Sequence, residues 1–227
     1  MTKRSIRLKW HGHSCFSLSN SKYTLVLDPY KSDMIGYPPL KLNAHVMLAS
    51  HQHQDHNYQP AVHFLPAPEN ILHQINHSKD WPENADPNIF WYKTIHTKHD
   101  ASGGKERGEN TVHIIHTAGL TIAHLGDLGH LLSDNQAKDF GKLDLLLIPV
   151  GGHFTIDAGH ALKTIKQLDP RNVAPMHYKT DNLTLPIAPV DDFLEQIGSH
   201  YQVRKLNSPK LSLTDQDENT CFLFQFE

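Results

Sequence analysis

The sequence predicts a mixed α/β protein that forms a single domain over residues 1–227, and three observations support this fold class. Nine short apolar runs have the length and alternation that are typical of β-strands. Helical stretches lie between the later runs, so that strands and helices alternate there. With 227 residues and 38% apolar side chains, the chain can bury a sizeable core, and no break in the sequence favours two domains.

The predicted strands are, in chain order, IRLKW, CFSLS, YTLVL, HVMLA, TVHIIH, LTIAHL, LDLLLIPV, NVAPMHY and CFLFQF. The predicted helices are 133–140, 157–168 and 191–197. The second helix has Thr155 or Asp157 as its cap and Pro170 beyond its end, and the third follows Pro189. The stretch 66–100 contains four prolines and few apolar repeats, so we expect it to be irregular and at the surface.

Two predicted hairpins have the same design. CFSLSNSKYTLVLDP reads as two strands around a polar turn and carries Asp28 after its second strand. TVHIIHTAGLTIAHLGD repeats this arrangement and ends on Asp127. The recurrence suggests two similar halves that pack face to face.

The charge and composition exclude several classes of function. The net charge of -3 and the pI near 6.7 provide no polycationic surface, so we expect neither nucleic acid nor a membrane as partner, but a small soluble molecule. The N-terminus lacks a signal-peptide core and no window has the length of a membrane span, which predicts a cytoplasmic protein. Two cysteines outside any CxxC pair encode neither a disulfide framework nor a zinc ribbon. The sequence does not determine the oligomeric state, and a homo-oligomer is compatible with it.

The stretch SHQHQDHN, residues 50–57, is the strongest signal for chemistry, because nineteen histidines are present and three of them cluster here. His51 and His53 stand at i and i+2 and point to the same side of an extended chain, while Asp55 and His56 follow where the chain turns. One short loop can therefore serve two metal ions, with the first pair reaching one ion and the second pair the other. The alternative is a polar loop that is rich in histidine by chance.

Neither pair completes a coordination shell, so further ligands must come from elsewhere in the chain. His99, Asp127 and His177 each follow an apolar run, and loops at one edge of a sheet are where sites of layered α/β proteins lie. His96, three positions before His99, competes for the role of the third imidazole.

The motifs together resemble the metallo-β-lactamase-fold hydrolases. HxHxDH after a strand, His99, Asp127 within HLGDLGH and His177 within PMHY carry this resemblance. Over about residues 6–180 the chain is similar to the cytoplasmic branch that includes the L-ascorbate-6-phosphate lactonase-like proteins, through GHSCF (12–16), LDP (27–29), GGKERGEN (103–110), IPVGG (148–152) and FTIDA (154–158).

The resemblance implies a four-layer αββα sandwich of two mixed β-sheets, with a dinuclear site in the groove between them. By motif, His51, His53 and His99 match the ligands of one ion, Asp55, His56 and His177 those of the other, and Asp127 the bridging carboxylate. His153 departs from the family, because this position is often apolar or aromatic in relatives. It is a candidate for substrate contact.

The chemistry expected of such a site is hydrolysis. A water held between two divalent ions loses a proton near neutral pH, and the resulting hydroxide attacks a carbonyl or a phosphorus. Zinc is the expected metal, with manganese, iron and cobalt as alternatives. Asp55 would both ligate and orient the nucleophile, and Asp28 would accept an imidazole N–H, unless it is simply a turn aspartate before Pro29.

We therefore expect a metal-dependent hydrolase that cleaves a lactone, ester or phosphodiester bond in a small anionic metabolite. A small-nucleotide phosphodiesterase is the nearest alternative, and a noncatalytic zinc-binding or buffering protein is the alternative from another class. Lys105 and Arg107 could bind an anion, or could be part of a solvated loop. His11, His13 and Cys15 alternate on one face and could form a separate metal site, although one polar face of a hairpin explains them too. His13 is also a candidate for substrate contact, whereas nothing marks Cys15 as a nucleophile.

Overall fold

The computed structural model describes residues 4–75, 81–82 and 84–226. In this part of the chain the strands are β1 Ser5–Trp10, β2 Phe16–Ser19, β3 Thr24–Leu27, β4 Leu42–Ala44, β5 Val46–Leu48, β6 Val62–Phe64, β7 Leu72–Gln74, β8 Phe90–Lys98, β9 Glu109–Thr117, β10 Leu120–His124, β11 Leu145–Pro149, β12 Asn172–Met176, β13 Gln202–Lys205, β14 Lys210–Thr214 and β15 Thr220–Leu223. The α-helices are α1 Ser32–Ile35, α2 Asp134–Lys138, α3 Ala158–Leu168 and α4 Asp191–Ile197, and short 3₁₀ turns cover Gln59–Ala61 and Glu69–Ile71.

Two large mixed sheets form the centre of the protein, as the resemblance implies. One has the strand order β14-β1-β2-β3-β5 and the other has the order β13-β15-β12-β11-β10-β9-β8-β7, while β4 and β6 form a separate pair. Alternation along β3 turns Leu25 and Leu27 inward, where they share one core with Ile122 and Leu146 of the larger sheet. The inner faces of the two sheets therefore pack against each other.

Helices cover the outer faces of both sheets unequally. The buried side chains of α3 and α4, such as Ile165 and Phe193, belong to the core that includes the larger sheet. On the outer face of the smaller sheet, Val26 joins a second apolar cluster with Ile35 of α1. The helical layer on that side is short, and the β4–β6 pair contributes the rest of that cluster through Leu42 and Val62.

Both predicted hairpins are present, one in each sheet. β2 pairs with β3 and β9 pairs with β10, in both cases antiparallel. Asp28 directly follows β3, and Asp127 lies three residues after the end of β10. The packing of the sheets places the two hairpins on opposite sides of a common core, although the sheets differ in size, with five strands and eight strands.

The prediction that 66–100 is irregular is wrong for Leu72–Gln74 and Phe90–Lys98, which form strands. β7 and β8 lie at the edge of the larger sheet, and β8 pairs antiparallel with β9 from Trp91↔His116 to Lys98↔Glu109. Polar side chains occur on both faces of β8, since Lys93 and Thr97 are buried while His96 is exposed, so no regular apolar alternation marks the strand. Residues 76–80 and 83 lie outside the described residues.

Other differences concern short elements. The strands β4, β6, β13 and β14 and the four-residue helix α1 were not predicted. The helix predicted at 133–140 is shorter, because Ser133 is its N-cap and forms a capping box with Gln136. No helix among the described residues is long and apolar enough to cross a membrane. That residues 1–227 form one domain stays a prediction.

Asp157 is the N-cap of α3, and its carboxylate accepts the backbone N–H of His160 at 2.8 Å. Although burial opposes it, this hydrogen bond lowers the pKa of Asp157, so the cap stabilises the fold above about pH 4 and is lost as the pH falls through the lowered pKa. We expect Asp157→Ala to reduce the free energy of unfolding by about 1 kcal/mol at neutral pH. Asp157→Asn, which keeps a capping oxygen, should cost much less.

Urea denaturation of the parent and both Asp157 variants at neutral pH and at low pH measures these differences in the free energy of unfolding. The difference between the parent and Asp157→Ala should shrink on acidification. An equal difference at both pH values would show that the negative charge of Asp157 does not strengthen the cap.

The direction of the strands determines where the chemistry collects. β1, β3 and β5 run in the same direction, because β1–β2 and β2–β3 are antiparallel and β3–β5 is parallel. The pairings of the larger sheet give β8, β10, β11 and β12 a common direction as well. The loops that follow the carboxyl ends of these strands therefore lie along one edge of each sheet.

Candidate metal centre

The loops along these two edges bring together a cluster of imidazole and carboxylate ligand atoms. Three overlapping groups have all their ligand atoms within 4.8 Å of one another: His51 with His53 and His99; His51 with His56 and Asp127; and His13 with His56 and His177. Asp55 borders the cluster, since its Oδ2 lies 3.9 Å from His56 Nε2. The three groups thus contain six of the seven predicted ligands together with His13, and Asp55 lies beside them.

Asp127 lies at the centre of the cluster. Its Oδ2 is 3.2 Å from His56 Nε2, 3.2 Å from His99 Nε2 and 3.4 Å from His177 Nε2. Two ligands that are each about 2.1 Å from one ion stand about 3.0 Å apart at a right angle and about 3.4 Å apart at a tetrahedral angle. These distances are compatible with ligands that share an ion, and Asp127 contacts histidines from both predicted sets.

His51, His53 and His99 form the first predicted set. The ring centroid of His51 lies 4.7 Å from that of His53 and 4.8 Å from that of His99. The Nδ1 atoms of two of them have partners, because His51 Nδ1 is 2.9 Å from the hydroxyl of Ser50 and His99 Nδ1 is 3.1 Å from the carbonyl oxygen of Phe154. With Nδ1 donating in both rings, Nε2 is free to bind a metal. His53 is exposed and opens this end of the cluster to solvent.

His96 does not compete with His99 in the structure. It is exposed on β8, and its carbonyl oxygen accepts a hydrogen bond from the side chain of Gln136. His99 follows the end of the strand and turns its ring to Asp127.

Asp28 supports two of the imidazoles at once. Its carboxylate accepts hydrogen bonds from the backbone N–H of Ser50 at 2.7 Å, from the Ser50 hydroxyl at 2.6 Å and from His56 Nδ1 at 2.8 Å. The hydroxyl of Ser50 in turn accepts from His51 Nδ1. Asp28 therefore orients His56 directly and His51 through Ser50, because the parallel pairing of β3 and β5 places these loops side by side.

The charges of the cluster suit a cation. Burial, reinforced by neighbouring imidazoles, lowers the pKa of His51 to about 3 and that of His13 to about 4, so both rings are neutral and have a lone pair to offer. Although burial opposes it, the imidazoles of His177 and His56 keep the pKa of Asp127 well below its usual value. Burial also opposes charge on His56, but Asp127 and Asp28 raise its pKa. These two carboxylates favour positive charge beside His56, which a divalent ion can supply in place of a proton.

Local sequence explains how Asp127 reaches this position. A Cβ atom on Gly126 would lie 2.4 Å from the Cβ of Ser50, so only glycine allows the loop after β10 to pass this close to the other sheet. Asn110 then holds the turn, because its Oδ1 accepts the backbone N–H of Asp127 at 2.9 Å and its amide donates to the carbonyl of Leu125. The sequence analysis did not assign this role to Asn110, although the quoted motif GGKERGEN ends on it.

The loop 100–108 after β8 is organised by another carboxylate that the sequence analysis did not single out. Asp100 accepts the backbone N–H groups of four loop residues, Ser102, Gly104, Glu106 and Arg107. Although burial alone would raise it, these donors lower the pKa of Asp100 to about 2. The loop places the guanidinium of Arg107 5.5 Å from the ring centroid of Phe154.

The candidate substrate contacts are spread around the cluster. Arg107 and Glu109 line a cleft of about 320 Å³ together with His51 and His53. Lys105 is exposed on the same loop and is not part of this lining. His153 is exposed, has a positive φ of 58° and packs edge-on against Phe154 with ring centroids 4.4 Å apart.

The predicted alternative of a separate site formed by His11, His13 and Cys15 is not what the structure assembles. His11 Nε2 lies 2.7 Å from the hydroxyl of Ser17, and Cys15 is buried in the apolar cluster of α1. Burial raises the pKa of the Cys15 thiol, which disfavours the thiolate. Only His13 of the three joins the metal-ligand groups.

Unpaired atoms test whether the cluster fits a metal. His51 Nε2 and Asp127 Oδ1 are buried and have no hydrogen-bond partner among the described residues. Buried polar atoms are normally paired, and unpaired ones are costly. A divalent ion provides the missing partner for His51 Nε2, and imidazole with carboxylate is a donor set that such ions prefer. The residues present therefore fit the predicted metal centre.

Comparison with known proteins identifies the family of this chain. The sequence profile of the beta-lactamase superfamily domain matches residues 7–177. A UPF0173 metal-dependent hydrolase from Desulforamulus reducens is 30% identical over 209 residues, which cover 77% of this chain and 85% of that protein. Another from Thermoplasma acidophilum is 28% identical over 194 residues, which cover 79% of this chain and 86% of that protein.

A solved structure gives the same result. A metallo-β-lactamase superfamily protein from Thermotoga maritima matches with a TM-score of 0.67 and 28% identity, over 97% of this chain and 100% of that one. The finer resemblance to ascorbate-6-phosphate lactonase-like proteins stays a prediction. Since the superfamily profile spans most of the chain and includes every residue of the cluster, this protein belongs to the beta-lactamase superfamily and is a metal-dependent hydrolase.

Proposed function

We propose that this hydrolase uses two divalent metal ions to cleave a lactone, ester or phosphodiester bond in a small anionic metabolite. The observation that supports this most directly is the position of Asp127 Oδ2, which lies within 3.4 Å of imidazoles from both predicted ligand sets. When bound, two such ions supply Lewis acidity and a water activated for attack on a carbonyl or a phosphorus.

Asp55 has the role of holding that water. Its side chain is 21% exposed, whereas His56 and Asp127 beside it are almost completely buried, so Asp55 faces the opening of the site. Although burial opposes it, hydrogen bonding and charge from His13 and His56 lower the pKa of Asp55. An ionised carboxylate at this place accepts a hydrogen bond from the water and fixes its orientation for attack.

The surroundings of the cluster support an anionic substrate. The cleft beside His51 and His53 is bordered by Arg107, and the carboxylate of Glu109, which also lines it, is paired with Lys98. Arg107 is the cation that borders the cleft, and its guanidinium also lies 3.4 Å from the carboxylate of the exposed Glu106, so an anionic group of the substrate would compete with Glu106 for it. Lys105 and His153 are exposed and are proposed as further substrate contacts, whereas His13, which was also predicted as one, is buried among the candidate metal ligands.

Zinc is the proposed metal, with manganese, iron and cobalt as alternatives. The Thermotoga maritima protein is named as a proposed zinc-dependent hydrolase, and imidazole with carboxylate is a ligand set that zinc shares with those metals. A small-molecule substrate, a cytoplasmic location and a homo-oligomer stay proposals.

The opening at His53 and Asp55 favours catalysis over metal storage. A structural zinc site is closed, with every coordination position filled by protein, whereas these two ligands border solvent. A purely buffering protein has no need of an open position next to a cleft.

A substrate panel tests the proposal. Metal-replete protein is assayed against lactones, carboxylic esters, cyclic and linear phosphodiesters and small nucleotides, with Asp55→Asn as the paired variant. We expect turnover in one class, and a fall in kcat of about 10²-fold or more in Asp55→Asn with a smaller change in KM. Turnover confined to nucleotides would identify a small-nucleotide phosphodiesterase. No turnover by protein that holds two ions would favour the noncatalytic alternative.

A further inference from the structure

His13 is held in the metal cluster by its backbone as well as by its ring. It lies in the loop between β1 and β2, and its carbonyl oxygen accepts the indole N–H of Trp10 at 3.0 Å and the backbone N–H of His177 at 3.1 Å. The ring is fully buried, and its centroid lies 4.2 Å from that of His177. The fold therefore joins the loop after β1 to the loop after β12 at the point where His177 enters the cluster.

The Nε2 atom of His13 points at the ligand atoms of the second predicted set. It lies 3.1 Å from His56 Nε2 and 3.6 Å from Asp55 Oδ2. Two imidazole nitrogens at this separation either share one proton or bind one cation. The distance falls in the range of about 3.0 to 3.4 Å between nitrogens bound to one ion, and it resembles the distances from Asp127 to its histidines.

The orientation of His56 favours the cation. Its Nδ1 lies 2.8 Å from the Asp28 carboxylate, which can only accept, so the proton of a neutral His56 ring is on Nδ1. The lone pair on His56 Nε2 then faces the same space as His13 Nε2, Asp55 Oδ2 and Asp127 Oδ2. A divalent ion in that space satisfies all of them at once.

We propose that His13 is a ligand of the ion that Asp55, His56 and His177 hold. This rests on the proposed two-metal function. The second ion then has three imidazoles and two carboxylates when Asp127 is counted, whereas the first has three imidazoles and the shared carboxylate of Asp127. Five protein ligands exceed the four of an ordinary tetrahedral zinc site, so for this second ion the alternatives to zinc named above, manganese, iron or cobalt, are favoured because they accept five or six ligands.

Asparagine is the substitution that the backbone allows. His13 has a φ of 53°, a left-handed conformation that asparagine tolerates better than other residues with a side chain. The carbonyl bonds to Trp10 and His177 survive in His13→Asn, and the shorter side chain does not reach the position of Nε2. His11→Asn is the matched control, because His11 lies in the same loop and its Nε2 bonds to Ser17 instead.

The affinities for Zn²⁺ and Mn²⁺ are measured by chelator competition on the full chain, with elemental mass spectrometry for stoichiometry and circular dichroism for folding. We expect the parent and His11→Asn to bind two ions. In His13→Asn we expect the affinity for one ion to fall by on the order of 100-fold, since even loss of an outer hydrogen-bond partner costs 10- to 100-fold. The affected ion should be the same one that is lost in His177→Asn.

A second set of variants separates a ligand from a residue that only orients Asp55. If His13 acted through Asp55 alone, His13→Asn would have no effect in an Asp55→Asn background. We expect a further loss of at least tenfold in that background. Unchanged affinities in His13→Asn, or no further loss in the double variant, would overturn the assignment of His13 while leaving the two-metal site in place. A parent that binds fewer than two ions would overturn the two-metal function itself.

Discussion

Asp127→Asn is expected to remove at least one of the two metal ions and to lower kcat by on the order of a thousandfold on the substrate that the panel identifies. The reason is geometric, because one oxygen of Asp127 lies 3.2 to 3.4 Å from three imidazole nitrogens that belong to both ligand sets. An amide in that position is a weaker ligand and carries no charge. Asparagine is the same size, and the backbone N–H of residue 127 keeps its bond to Asn110.

Elemental mass spectrometry on untagged, metal-replete protein gives the metal content per chain. Asp139→Asn is the control, since it removes one exposed carboxylate at the end of α2. The proposal predicts close to two ions in the parent and in the control, and one or none in Asp127→Asn. If Asp127→Asn bound both ions with unchanged affinity, Asp127 would not be a shared ligand, and a parent with one ion or none would overturn the two-metal mechanism.

Asp28→Asn is expected to weaken the binding of both ions by about 10- to 100-fold. Asp28 orients His56 directly and His51 through Ser50, so its loss disturbs one imidazole of each set. In Asp28→Asn the side-chain NH₂ group would face hydrogen-bond donors that the carboxylate now accepts, in a fully buried position. We expect this to reduce the free energy of unfolding by about 2 kcal/mol. The φ of 46° at Asp28 is one that asparagine adopts readily, so the backbone should be preserved.

Ser50→Ala provides the matched comparison, because it interrupts only the path to His51. Chelator competition should then show a loss confined to the ion held by His51, His53 and His99, whereas Asp28→Asn affects both. Equal effects of the two variants on both ions would contradict the proposal that Ser50 supports only His51 while Asp28 supports both His51 and His56.

The sequence predicted the local part of the site well and its long-range part incompletely. The HxHxDH cluster lies in one loop, so strand periodicity and spacing were sufficient to assign it to the carboxyl end of β5. Asp28, Asp127 and His177 could be proposed because each follows an apolar run that ends at the same edge. The nine predicted strands are present because their apolar residues are continuous or alternate regularly.

The missed features depend on pairing between distant segments. Ser50 reaches Asp28 only because β3 and β5 are parallel neighbours, and no local pattern specifies that pairing. His13 joins His177 through a backbone hydrogen bond across 164 residues (177 − 13 = 164). β8 was concealed because polar side chains occur on both of its faces, including the buried Lys93 and Thr97, whereas a central strand such as β11 is continuously apolar.

Folding and metal binding are coupled, because the candidate ligands lie at the edges of two different sheets. The candidate ligands span the chain from residue 13 to residue 177, so the complete cluster exists only after both sheets have formed and packed together. An ion that binds only this state stabilises it by mass action, by about 4 kcal/mol at a thousandfold excess over its dissociation constant. Six of the candidate ligands are buried, and their burial without a metal ion lowers the stability of the folded state. Binding of the ion offsets this cost. The cellular level of folded enzyme should therefore follow the availability of the metal before any substrate is present.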